Sequence, residues 1–495
     1  MRLEQATVEA MHSTGLLNPV RFIALAVLMG LETGPVAIAA DAFDPFSVHA
    51  LTSSSQAGSY APDKAVSPCA QDDRAQSPLS LWDVADRALC NNPQTRTAWA
   101  NAKVSAAQVG VARSAYLPTL SASASASRNR ANSGARVGDA LLGGTTLYNA
   151  ESGSLAAGYL LYDFGAREAN LDNALQTLAA ANLTQDATLQ KVFLSAVQAY
   201  YLLFGTRALV DAATESERAS LESLKAATGR YDAGTAAPAD KLQAQTAYSQ
   251  AKLNRIQAEG NAKNAEGGLA NVMGLDANFA VSYVAPVLKV PEEEFDRNLD
   301  QLISEARRQR PDLAAAEAQA KAAQANVQAV RAAGMPTVSL SASANYSSYS
   351  LSDPFHSQAI GISVNIPIFT GFNTTYQIRA AQAKVESQAA QRDSISLQVA
   401  LDVWQAYQNL STGVQAVRSS NDLVASAAES ERVALGRYKA GAGTIIDLVA
   451  AQSALANARQ QNIQALYSFY VFKAALAQAL GRIDRKVLGE TGYKP

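Results

Sequence analysis

One stretch of this chain occurs twice, and that constrains the fold more than any single motif. The first copy reads Gly229-Arg230-Tyr231-Asp232-Ala233-Gly234 and continues through Pro238, Asp240, Gln245 and Tyr248. The second reads Gly436-Arg437-Tyr438-Lys439-Ala440-Gly441 and continues through Asp447, Gln452 and Leu455, at an offset of 207 (Gly229 to Gly436). Ala199-Tyr200 and Leu269-Ala270 recur at that same offset as Ala406-Tyr407 and Leu476-Ala477. Upstream, Pro93 and Pro118-Thr119 recur as Pro311 and Pro336-Thr337 at an offset of 218 (Pro93 to Pro311). The difference places about eleven extra residues in a loop of the first copy. Residues 79–275 and 297–482 are therefore expected to be two versions of one unit, joined by a linker at 276–296 and followed by a tail at 483–495. A repeat of this size overrides the usual domain count from length.

Composition narrows the function. A net charge of −2 offers no electrostatic ground for a nucleic-acid partner. Three histidines (His12, His49, His356) and two cysteines leave little material for a metal or nucleophilic site. No cofactor, metal or catalytic residue is expected, and an enzyme is the least favoured class. Residues 22–31, Phe22 to Leu31, form a short apolar core after Arg21, and Ala37-Ile38-Ala39 supplies a small-x-small cleavage site. Residues 1–39 thus read as a secretory signal peptide, a retained anchor being the alternative. Residues 40–78, rich in Ser, Pro and Asp without periodicity, read as an extended tether. In an exported chain Cys69 and Cys90 are a disulfide candidate, against two unpaired thiols.

Each unit carries two stretches of period two. Leu120, Ala122, Ala124 and Ala126 alternate with serines, as do Val338, Leu340, Ala342 and Ala344. Ile360, Ile362, Val364, Ile366 and Ile368 are interleaved mostly with Gly361, Ser363 and Asn365. Strands are expected at about 117–130, 152–164, 336–348 and 358–369, with turns at 132–151 and 349–357. Their length suits a tilted membrane-crossing strand, with the isoleucine stripe facing lipid. A soluble hairpin could show the Ser-Ala alternation, but export and the stripe favour the membrane. Four strands cannot close a barrel, and lipid tolerates no open edge, so several chains must combine: two for eight strands, three for twelve and an aqueous lumen.

Proline-free runs predict long helices from Arg167 to about Thr228 and from Thr374 to about Leu435, with possible interruptions at Gly205 and Gly413. Shorter helices return at 238–273 and 445–480, and single helices are expected at 79–115 and 297–333. The turns then fall at 229–238 and 436–445. Ala dominates the apolar positions, so neighbouring helices should pack closely.

The leader, the two helix–strand–strand–helix–helix units and the Gly-x-Tyr-x-x-Gly turns together resemble the TolC family of outer-membrane factors over residues 79–482. The segment from Leu79 to Asp86 and on through Cys90-Asn-Asn-Pro-Gln-Thr-Arg96 is similar to the start of members serving type I protein secretion. The resemblance implies a mixed α+β membrane protein: a homotrimer with a twelve-stranded β-barrel in outer-membrane lipid and a long periplasmic α-helical barrel. It implies an equatorial layer near 276–298, and partners in a periplasmic adaptor and an inner-membrane transporter, of ABC type for the secretion branch. It also implies an exported cargo and no catalysis. Small-molecule efflux is the runner-up, and a periplasmic coiled-coil scaffold or adaptor the rival of another class.

By the same resemblance the two turns form the periplasmic entrance. Asp240 and Tyr438 match positions that link the closed entrance, whereas Gly443 stands where a linking arginine is expected. Asp447 matches an acidic ring that would favour cations, and Ala450 lacks the second carboxylate. Gly229, Arg230, Tyr231, Gly234, Gly436, Arg437 and Gly441 are the candidate tip and adaptor-contact residues. Gly234 and Gly441 suit left-handed turn positions, and Thr444 with Asp447, or Ala237-Pro238 with Asp240, also reads as plain helix capping.

Overall fold

The computed structural model describes residues 44–52, 78–137, 140–279, 281–288, 298–350 and 352–482, with side chains at 133–143 left aside. The signal peptide, Cys69, most of the tether and linker, and the tail lie outside the described residues.

Among the described residues eight α-helices and four strands follow in two matched sets. The first set is α1 (Leu81–Asn91), α2 (Pro93–Ser114), β1 (Thr119–Val137), β2 (Ala140–Tyr162), α3 (Ala166–Asp232) and α4 (Pro238–Val272). The second is α5 (Leu299–Gln309), α6 (Pro311–Ala332), β3 (Thr337–Tyr349), β4 (Ser352–Asn365), α7 (Asn373–Lys439) and α8 (Ile445–Ala479). Helices α3 and α7 have 67 residues each, and α4 and α8 have 35 each. At 1.5 Å per residue, α3 and α7 each rise about 100 Å.

Several expected boundaries are corrected. The expected single helices at 79–115 and 297–333 are each two, because Pro93 and Pro311 push the preceding residue out of the helical region. Asn92 has ψ 129° and Arg310 ψ 122°. Helices α3 and α7 run straight through Gly205 and Gly413. Those glycines instead admit aromatic neighbours: an added Cβ would lie 3.3 Å from Tyr467 and 3.0 Å from Phe472. Both long helices also continue into the expected turns, which shrink to 233–237 and 440–444. The expected tether contains a helical turn at Val48–Leu51, where Val48 packs on Gly110 and Phe46 O accepts from Arg113 at 2.8 Å.

The chain forms two compact units. One gathers the described parts of Met1–Leu51, Ala106–Leu175 and Ala322–Lys384 around a single antiparallel sheet of order β1-β2-β3-β4. The loop expected at 132–151 is mostly ladder: β1 and β2 pair from Thr119↔Gly158 to Val137↔Ala140. Likewise β4 starts at Ser352, not near 358, so the second loop is short too. Backbone pairing needs no apolar alternation, which is why the Gly-, Asn- and Thr-rich stretch still forms strand. β4 ends at Asn365, so Ile366 and Ile368 follow the strand; Pro367 has no N–H to continue the ladder.

The other unit gathers the described parts of Thr52–Ser105, Gln176–Lys321 and Val385–Pro495, and it holds the same core twice. Val84, Ala88, Val192, Ala196, Leu203, Leu269 and Met273 belong to one cluster. Leu302, Ala306, Val399, Val403, Leu410, Leu476 and Leu480, their counterparts at the two offsets, belong to the other. Part of the expected linker packs beside the first cluster, where Leu79 N donates to Ser282 O at 2.8 Å and Val284 N to Leu79 O at 2.9 Å. The return helices end in the left-handed conformation at Gly274 (φ 74°) and Gly481 (φ 74°). A Cβ at Gly274 would lie 2.6 Å from Asn91 O, and one at Gly481 3.0 Å from Gln309 O, so each helix end docks on the break between two column helices.

Candidate functional site

The two turns close in the same way. Thr235 N donates to Arg230 O at 2.8 Å, and Ala442 N to Arg437 O at 2.9 Å, with Gly234 at φ 73° and Gly441 at φ 76°. This is the Schellman closure, which occupies the last helical carbonyls and needs a residue free to adopt positive φ. In the second copy the next helix starts with a full capping box: Thr444 Oγ1 accepts from Asp447 N at 3.2 Å and donates to Asp447 Oδ2 at 2.8 Å. Hydrogen bonds from the Thr444 hydroxyl and backbone N–H hold the Asp447 carboxyl below the ordinary aspartate range. In the first copy Ala237 has no side chain to cap with, and Asp240 makes no reciprocal cap bond.

The turns are also joined to each other, which the sequence reading missed. Tyr438 is 3% exposed and packs with Ala227, Ala244, Ile445 and Leu448. The Arg230 guanidinium lies 4.9 Å from the Tyr438 ring centroid, and its Nη1 donates to Tyr438 O at 3.2 Å. Arg230 was expected at the open tip surface; instead it staples one repeat to the other. Arg437 is exposed and donates to Ala442 O at 3.5 Å. Gly229, Tyr231 and Gly436 are exposed as well. Among the described residues the Tyr438 hydroxyl is buried without a hydrogen-bond partner, so no Asp240–Tyr438 bond forms there. A Cβ at Gly443 would meet Arg437 Cβ at 3.1 Å and Tyr438 N at 3.3 Å. A side chain at Gly443 would therefore require Arg437 and Tyr438 to give by a few tenths of an ångström.

The sheet separates two kinds of surface, since directly paired residues share a face. One face carries Leu120, Ala157, Ala342 and Ile360 in one row, and Ala122, Leu155 and Ala344 in the next. Tyr159, Leu340 and Ile362 extend it, then Val338 and Val364. Ile360 is 79% exposed. The other face pairs Ser123 with Ser154 and Ser125 with Ser152, each pair sharing a hydroxyl hydrogen bond at 2.8 Å. Asn345 continues it between Ser154 and Ser357.

A second feature found only in the structure is Arg310, at the break between α5 and α6. Its side chain is buried and donates to Asp312 Oδ1 at 3.0 Å and Oδ2 at 2.6 Å and to Asp402 Oδ2 at 2.7 Å. Burial disfavours its charge, but the two carboxylates outweigh burial and its pKa is raised. Cys90 lies near the end of α1 and is disulfide-bonded, while the expected partner Cys69 lies outside the described residues. Among the described residues no group of three His, Cys, Asp or Glu could hold a metal ion.

The family model described as outer membrane efflux protein matches residues 84–275 and 302–482, both repeats of this chain. The chain belongs to this family. It is the TolC family of the resemblance drawn above. The chain is 33% identical to Protein CyaE of Bordetella pertussis over 83% of this chain and 85% of that protein. It is 26% identical to the toluene efflux pump outer membrane protein TtgC of Pseudomonas putida, over 81% and 83% of the two chains. Its fold matches the CmeC outer membrane channel of Campylobacter jejuni with a TM-score of 0.72, at 20% identity over 81% of this chain and 85% of that one. Outer membrane efflux proteins are channels, not enzymes. They are trimers that sit in the outer membrane, extend into the periplasm, and work with periplasmic adaptors and inner-membrane transporters.

Proposed function

We propose that this outer-membrane efflux channel is the exit duct of a type I protein secretion system, with an ABC-type inner-membrane transporter and a secreted protein as cargo. The start of repeat 1, from Leu79 to Arg96, carries the reading. Its support is the higher identity to Protein CyaE, 33%, than to the toluene efflux pump protein, 26%. That second relative also favours the runner-up, an outlet for small molecules. The chain does no chemistry of its own.

In this reading the face bearing Ile360, Ile362 and Val364 meets lipid, with Ile366 and Ile368 at its lower margin, and the serine face lines the lumen. The paired turns form the entrance: Asp240 and Tyr438 restrain it, Asp447 sets cation preference, and the exposed Arg437 and turn glycines meet the adaptor. A Cys69–Cys90 bond pins the tether to α1.

Conductance of the detergent-purified protein in a planar lipid bilayer tests this. Discrete cation-preferring steps that grow in the Tyr438→Phe/Asp240→Ala double variant are expected. Steps of unchanged size in that variant remove the gate. No steps in either protein, despite verified folding and insertion, favour a periplasmic scaffold.

A further inference from the structure

Above Ala150 and Tyr349 the sheet loses β3 and β4 and continues as a two-stranded ribbon of β1 and β2. The face of Leu120, Ala122 and Ala124 runs on along β1 as Ala126, Arg128 and Arg130, with Glu151, Asn149 and Leu147 of β2 directly opposite. Arg128 and Arg130 therefore share the apolar face of the isoleucine stripe and lie beyond its last rows, at the strand end away from α2. Both are exposed, and neither guanidinium has a hydrogen-bond or ion-pair partner among the described residues. At about 3.4 Å per residue, Arg128 is roughly 14 Å along the strand from Ala124. Counted from the Val338–Val364 row it is twelve residues along the sheet, about 29 Å of height with the usual tilt, which exceeds an apolar band about 25 Å tall and leaves it within reach of the headgroup layer for a side chain this long.

We propose that Arg128 and Arg130 form a docking surface for the phosphorylated headgroup of an outer-leaflet glycolipid, whose acyl chains lie on the apolar rows below. This rests on the reading of that face as lipid-facing. Three observations favour this occupant. The two guanidiniums stand at i and i+2 on one face, and a guanidinium fork matches phosphate oxygens in a way that suits few other partners at this depth. Below the rows that carry Ser348, His356 and Gln358, the surface becomes apolar at Leu120, Ala157, Ala342 and Ile360, as acyl chains require. Among the described residues of this face the one acidic side chain, Glu151, lies one row nearer the hydrocarbon than Arg128, so phosphate is directed outward to the arginines and not down the strand.

The test uses the full trimer in detergent, with retention of bisphosphorylated lipid A and of its dephosphorylated form read by native mass spectrometry. The wild-type protein is expected to prefer the bisphosphorylated lipid by about tenfold or more. Arg128→Gln/Arg130→Gln loses the preference, Arg128→Lys/Arg130→Lys keeps part of it, and Glu151→Gln strengthens it. Equal retention of both lipids by the wild-type protein, or a preference untouched in the glutamine variant, overturns the proposal. The lipid-facing reading has its own readout: Ile362→Asp blocks membrane insertion if that face meets lipid. A protein that inserts normally and still ignores the phosphates refutes the arginine site alone.

Discussion

Replacing Arg230 with Gln tests the staple between the two turns. The guanidinium makes one cation–π contact with Tyr438, at 4.9 Å, and one hydrogen bond to the Tyr438 carbonyl, at 3.2 Å. A partly exposed cation–π contact contributes about 1 kcal/mol. A charged donor on a carbonyl contributes about 1.5 kcal/mol or more. Because Arg230 is partly exposed, their sum should be near 2 kcal/mol. The Tyr438 packing against Ile445 and Leu448 survives the substitution, so the loss falls on local opening of the tip and not on the whole fold. An opening free energy lowered by about 2 kcal/mol raises the opening constant roughly 30-fold. Hydrogen exchange followed by mass spectrometry on peptides covering 436–448 measures it. Exchange there should accelerate by about that factor while peptides from α1 and α5 keep their rates. Acceleration below about twofold would refute the staple, and equal acceleration everywhere would show global destabilisation instead.

Alanine at the helix-terminal glycines should follow the space at each site. Gly274→Ala combines a left-handed backbone with a contact at 2.6 Å and should cost about 3 kcal/mol; Gly481→Ala, at 3.0 Å, should cost about 2 kcal/mol. Gly234→Ala, with nothing within 4 Å, should cost only the backbone term of about 1 kcal/mol, and chemical denaturation that fails to rank them this way removes the docking argument. Asp447→Asn should abolish cation preference in reversal-potential measurements. Because the Thr444 bonds depress its folded pKa, the carboxylate's cap and charge are present above the unfolded aspartate value and are lost only as pH falls through the lower folded one. Cation preference in the wild-type channel should accordingly persist to a pH below the ordinary aspartate range, and its loss at or above that range would contradict the assignment.

What the sequence determined by itself is the repeat and everything that follows from periodicity. Two constant offsets established that α3 and α4 return as α7 and α8, and that the helical stretch 79–115 returns as 297–333. Prolines and glycines marked the turns, and alternation marked both faces of β3 and much of β4. These are local properties, set by backbone torsions and by side-chain spacing along one element. The strand ends were not legible: residues 132–137 and 140–151 have no alternation, and only the partner strand's backbone makes them ladder. Nor were the helix breaks legible, because a proline is tolerated at the start of a helix as readily as it ends one.

Only the tertiary structure decided what meets what. Arg230 and Tyr438 lie in different repeats, and nothing along the chain distinguishes Arg230 from Arg437, its counterpart in the repeat. One is a staple and the other exposed because the turns meet on one side only. A side chain at Gly443 would press on Arg437 and Tyr438, and the buried Arg310 is neutralised by Asp402 from a distant helix. Such contacts depend on packing between elements whose relative placement no local pattern encodes, and at the paired turns they decide which residues hold the two repeats together.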